Sequence, residues 1–145
     1  MLEDADLNEA VKWAVWGKMN NMGQSCVAAK RFIVVEELAD RSLAKFQTAL
    51  AAFKPGDPMD KATTLGPLST EAALVKLLDQ TSRAVAQGAT VVMGGSRVDR
   101  PGSFMQPTIL ADIKPGNPAF REEFFGPVAP FLAGQERGRS GGSRK

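Results

Sequence analysis

The sequence predicts an α/β fold: a mainly parallel sheet flanked by helices. Two observations carry this. Apolar residues recur at three- and four-residue spacing in three stretches, the mark of one-sided helices. Short β-branched runs stand between and after those stretches, most of them set off by glycine or proline. Alternation of the two patterns favours layers of helix on sheet with parallel pairing. No internal repeat is visible.

The first helix opens at Asp6, whose carboxylate can accept backbone N–H bonds as a cap. Ala10, Val11, Ala14, Val15 and Met19 form its apolar face, Gly17 weakens its interior, and Asn20, Asn21, Met22 and Gly23 read as a break. Residues 31–35 form a buried strand. A helix follows over 37–53, its buried side marked by Leu38, Leu43, Phe46, Ala49, Leu50 and Phe53, until Pro55, Gly56 and Pro58 stop it. Ser69 or Thr70 caps a third helix carrying Leu74, Leu77, Leu78, Thr81 and Val85, which ends at Gly88. Residues 89–93 are a strand turning at Gly94 and Gly95. Residues 104–113 are extended but interrupted by Pro107, 118–123 suit a single helical turn, and 128–132 begin another strand.

The 145 residues fit one domain, and 43% apolar residues suffice for a core. A formal charge of +2 leaves no electrostatic footprint for nucleic acid or anionic lipid. No apolar run approaches the ~20 residues of a membrane span. The acidic opening around Glu3, Asp4 and Asp6 does not read as a secretory signal, so a cytoplasmic setting is expected. With one cysteine and no histidine there is no internal disulfide, no Cys/His metal cluster and no histidine-activated nucleophile within the chain. Residues 133–145 carry no apolar side chain larger than alanine and are expected to be a disordered tail after a domain of residues 1–132; one choice of codons for them, read one base later, encodes a helix-forming stretch, so an out-of-frame tail is one reading.

Two readings compete at Cys26. It follows Gly23, Gln24 and Ser25 at a helix-to-strand junction, where a thiol can face a cleft and act as a nucleophile. A free cysteine is also commonly a small buried hydrophobe. The wider string of residues 20–32, with Gly23, Gln24 and Cys26 at its centre, resembles the cysteine active-site signature of the aldehyde dehydrogenase superfamily. Residues 120–128, Phe-Arg-Glu-Glu-Phe-Phe-Gly-Pro-Val, resemble a second signature of that family, and Gly56-Asp57-Pro58, Gly66-Pro67-Leu68 and Gln106-Pro107-Thr108 lie between in the family's order. The resemblance covers residues 1–132, and the run around Cys26 looks most like bacterial succinate-semialdehyde dehydrogenases.

The resemblance implies that Cys26 attacks an aldehyde carbon, that its backbone N–H serves the oxyanion, and that NAD or NADP accepts the hydride. Glu123 then hydrogen-bonds the nicotinamide ribose and Phe125 packs near the nicotinamide. Without the resemblance, Glu123 reads as a solvated acid and Phe125 as core. Lys30 and Arg31 read as solvated charges, and Trp13 and Trp16 as core or subunit packing in a homo-oligomer. The family's general-base glutamate, its oxyanion asparagine and its dinucleotide-binding domain are not among these residues, so the isolated chain is expected to be inactive. A binding or self-associating α/β fragment is the alternative; a thiol-redox role lacks a resolving cysteine.

Overall fold

The computed structural model describes residues 1, 2 and 4–134. Helix α1 spans Leu7–Met19, strand β1 Phe32–Val35, α2 Glu36–Ala51, α3 Glu71–Ala86, β2 Thr90–Met93, β3 Thr108–Ala111 and β4 Val128–Gly134. A 3₁₀ turn covers Pro118–Phe120, and a turn with left-handed residues covers Asn20–Gly23. The caps follow local chemistry. Asp6 Oδ1 accepts from the amides of Asn8 at 2.9 Å and Glu9 at 3.1 Å, and Thr70 Oγ1 accepts from the Ala73 amide at 3.0 Å.

The four strands lie in the order β1-β4-β3-β2. β4 runs parallel to both β1 and β3, and only β2 is antiparallel, paired to β3 with an irregularity between Val91 and Met93. The expected mainly parallel α/β architecture is therefore present. Pro130 stands in a central strand, where a missing N–H is normally unfavourable. It marks the point where β4 changes partner: residues 128–130 pair with β3 and residues 131–134 with β1.

Side chains on β3 and β4 alternate between two cores, as a period of two requires. Ile109, Ala129 and Phe131 pack with Val11, Val15, Phe46 and Leu50 of α1 and α2. Leu110, Val128 and Leu132 pack with Leu74, Leu77 and Ala84 of α3. Two helices thus cover one face and one helix the other. Both faces of the inner strands are dry, which explains their near-continuous apolar runs.

Four details differ from the sequence expectation. β1 is an edge strand and α3 does not reach it, so Ile33 is 63% exposed. On α2, Leu43 and Ala49 are only half-buried, whereas Ala39 and Ser42 are buried; Phe53, expected in the helix, lies past its end at Ala51 and is half-buried. Ser42 is tolerated there because its hydroxyl donates to the Leu38 carbonyl at 2.7 Å. Val85, expected on the buried side of α3, is exposed. β4 also continues through Ala133 and Gly134, two residues past the compositional boundary. The expected disorder of residues 135–145 falls outside the described residues.

Candidate active site

The segment carrying Cys26 is shaped largely by its own backbone. After α1, Asn21 and Met22 both take left-handed conformations, at φ 50° and 54°. For L-residues this costs roughly 1–2 kcal/mol each, and asparagine tolerates it best. The Asn21 side-chain amide donates to the Gln24 carbonyl at 3.1 Å, which offsets part of that cost. Gly23 is also left-handed, and a Cβ there would collide with the Gly126 carbonyl oxygen. Glycine is needed at 23 for its conformation and for this close approach.

Further bonds close the segment. The Ala29 amide donates to the Gly17 carbonyl at 2.9 Å and the Ala28 amide to the Ser25 carbonyl at 3.1 Å. Gln24 Oε1 accepts from the Ser69 amide at 2.8 Å, tying the segment to the start of α3. Cys26 is left exposed on the resulting loop, so the buried-hydrophobe reading does not apply.

The loop of residues 121–127 lies against this segment and is held mainly by side chains. Phe124 is buried in the α3 core, while Glu123 and Phe125 on either side are exposed. Arg83 grips the Glu122 carboxylate with two N–H donors, at 2.7 and 3.0 Å, and Gln80 Nε2 donates to Glu122 Oε2 at 3.0 Å and to the Glu123 carbonyl at 3.1 Å. These bonds hold the Glu122 carboxyl below its usual range, Arg83 first and Gln80 second.

Lys30 joins the two segments. Its ammonium donates to the Ser25 carbonyl at 2.7 Å, pairs with Glu123 at 2.8 Å and lies 5.0 Å from the Phe125 ring centroid. The pairing lowers the Glu123 pKa, chiefly through the hydrogen bond and then through charge. Two of the three residues singled out from sequence, Glu123 and Phe125, therefore meet around one cation, and that cation is bonded to the residue before the third, Cys26.

A cleft of about 580 Å³ opens beside this arrangement, lined by Ala73, Lys76, Leu77, Gln80, Arg83, Glu122, Glu123 and Phe125. Cys26 is not among its lining residues. The wall offers a carboxylate for hydroxyl donors, an aromatic face and the cations Lys76 and Arg83. Phe125 is 45% exposed, a large apolar surface left open at the rim. Among the described residues no cluster of His, Cys, Asp or Glu is arranged to hold a metal ion.

Sequence reading missed two residues. Lys30 is not a free solvated charge. Lys18 is wholly buried at the end of α1, and its amine donates to the Phe124 carbonyl at 3.1 Å. Its position was a signal, because it falls three residues after Val15 and seven after Val11, on the apolar face. Burial first, and the nearby Lys30 second, lower its pKa to about 7, with Glu123 opposing.

The sequence pattern of the aldehyde dehydrogenase family matches residues 1–136. The chain belongs to that family. Among its relatives is the succinate-semialdehyde dehydrogenase [NADP(+)] of Deinococcus radiodurans, 48% identical over 129 residues, which cover 89% of this chain and 27% of the relative. The crystal structure of succinate-semialdehyde dehydrogenase from Burkholderia pseudomallei superposes with a TM-score of 0.90 at 38% identity, covering 93% of this chain and 28% of that one. An NAD+ complex of aldehyde dehydrogenase from Bacillus cereus gives a TM-score of 0.91 at 34% identity, covering 94% and 28%. The chain thus spans about a quarter of the length of the aldehyde dehydrogenases it matches. No helix among its described residues is long and apolar enough to cross a membrane.

Proposed function

We propose that this chain is the nucleophile-bearing part of an NAD(P)-dependent aldehyde dehydrogenase that oxidises succinate semialdehyde. The observation that carries the reading is the Lys30 junction, which ties the exposed Cys26 loop to Glu123 and Phe125 at the mouth of a cleft. The substrate and the preference for NADP rest on the names of relatives such as that of Deinococcus radiodurans.

In this reading the Cys26 thiolate adds to the aldehyde carbon and forms a thiohemiacetal. The Cys26 backbone N–H stabilises the developing oxyanion, a contribution of roughly 3 kcal/mol where such a donor is preorganised. Bound nicotinamide supplies the hydride acceptor. Water then releases the acid from the thioester on Cys26. Glu123 would accept from the ribose hydroxyls, and Phe125 would pack near the nicotinamide. Glu123 is already paired with Lys30, so the ribose shares its carboxylate with that cation. The base and the dinucleotide-binding elements that the family resemblance calls for are not among these residues, and the 145-residue chain alone is expected to show no turnover.

The test is a chimera in which residues 1–134 replace the matching segment of the Deinococcus radiodurans relative. Succinate semialdehyde and NADP+ should give NADPH, and Cys26→Ser should bring the rate to background. A chimera that retains its rate with serine at 26 would refute the assignment, and turnover by the 145-residue chain alone would refute the requirement for the missing parts.

A second reading is self-association. Trp13 and Trp16 are 58% and 61% exposed on one side of α1, and Ile33 is 63% exposed on the sheet edge. These surfaces fit contact with further chain or with another copy, as in a homo-oligomer. A sedimentation profile independent of concentration would count against it.

A further inference from the structure

Lysine is almost never fully buried unless paired, yet Lys18 is wholly buried on the apolar face of α1. Methionine or leucine would fill that space without the desolvation penalty of an ammonium. Among the described residues no carboxylate forms an ion pair with it. What its amine reaches is a backbone carbonyl 106 residues away, that of Phe124.

The position of that carbonyl matters. Phe124 points into the core, and its neighbours Glu123 and Phe125 are both exposed. Fixing the 124 peptide therefore fixes the residues on either side of it. The other end of the tie is α1, the helix that leads through the left-handed turn into Cys26. Cys26 lies eight positions after Lys18, and Gly23 between them packs against the Gly126 carbonyl.

We propose that Lys18 is a positioning residue whose amine, donated to the Phe124 carbonyl, sets the register of Glu123 and Phe125 with the Cys26 loop. This rests on the dehydrogenase reading above. It adds a residue that touches neither substrate nor cofactor and acts through the loop it holds. The charged groups facing Lys18 are Lys30 and Glu123, and its own proton affinity lies near neutrality. The strength of the tie accordingly weakens as the ammonium loses its proton, since a charged donor makes the stronger hydrogen bond.

The first readout needs no catalysis. Amide resonances of Phe125 and Gly126 are followed by NMR against pH in the 145-residue chain carrying Cys26→Ser, so that the thiol does not titrate. The sequence has no histidine to confuse the neutral range. The expected result is an inflection near pH 7 at Phe125 that disappears in a second variant adding Lys18→Met. A flat profile in the single variant overturns the proposal, as does an unchanged inflection in the double variant. If Lys18→Met prevents folding, the profile of the single variant decides alone.

The second readout is kinetic, in the chimera. Lys18→Met should raise the KM for NADP+ about tenfold while kcat stays within about threefold. A merely structural role would lower the amount of active enzyme at unchanged KM, and that result overturns the proposal. A parent chimera without aldehyde oxidation would sink the dehydrogenase reading and leave the NMR result to decide the positioning role.

Discussion

The two loops that meet at the candidate site are held in opposite ways. Residues 20–30 are fixed by backbone geometry: three consecutive left-handed residues, amide bonds back to Gly17 and Ser25, and a glycine against the Gly126 carbonyl. Residues 121–127 are fixed by charged and amide side chains from elsewhere, Lys18, Lys30, Gln80 and Arg83. The contrast is chemically sensible. A nucleophile must be presented at one place, and short-range bonds with local strain do that without responding to solvent. A loop tied by ionic groups, as the proposed cofactor-facing loop is, responds to pH, salt and the charge of what binds.

This contrast is open to four tests, in falling order of expected effect. Gly23→Ala puts a Cβ into the Gly126 carbonyl at a left-handed position, which should cost about 2–4 kcal/mol in denaturant unfolding. A loss below about 0.5 kcal/mol would show that the loops are not packed together as described.

The second test is pH. Lys18 titrates near 7 in the folded chain, below the ordinary lysine value of about 10.4 in the unfolded one. Below pH 7 both states hold the proton and this group gives no slope. Between about 7 and 10.4 the unfolded state binds more protons, so its contribution to stability rises with pH, by at most about 1.4 kcal/mol per unit. Lys18→Met should abolish that rise in urea titrations at pH 7 and 9; a rise of equal size in the variant would contradict the assignment. On the acid side, Glu122 and Glu123 have depressed values, so their contribution is present at neutral pH and fades as pH falls.

The third test is Asn21→Ala, which removes the bond to the Gln24 carbonyl and places alanine in a left-handed conformation, for a loss of about 1–2 kcal/mol that salt does not alter. The smallest effect is Arg83→Met. It removes an exposed clamp on Glu122, and the small loss seen at low salt should vanish in 1 M salt, a regime where such pairs are screened. Equal salt dependence of the last two variants would erase the distinction between the loops.

Most of the fold was legible because its signals are local. Asp6 and Thr70 cap helices through their own neighbours, the apolar stripes of α2 and α3 follow one period, the run around Val34 is β-branched, and the runs around Ile109 and Val128 are bounded by proline and glycine. What was not legible is long-range. Ile33 looks as buried as Val34 until the sheet order leaves β1 at an edge. Val85 looks like part of the stripe of α3, but its neighbour Ala84 takes the buried place at that turn. In the site, Cys26, Glu123 and Phe125 were found through motif resemblance, not through periodicity. Lys30 reads as a surface cation because its partner lies 93 residues away. Lys18 gave one clue, a charge on an apolar face, and only the tertiary contact with Phe124 explains it.

The central claim is that the Cys26 loop and the Glu123–Phe125 loop make one site. It is tested most directly by the rate at which iodoacetamide modifies Cys26 in the chimera, with and without NADP+. One site predicts a severalfold change in that rate on adding NADP+, with the half-effect concentration about tenfold higher in Glu123→Gln, the loss of one charge-assisted hydrogen bond. A Cys26 rate that is the same with and without NADP+ would contradict it.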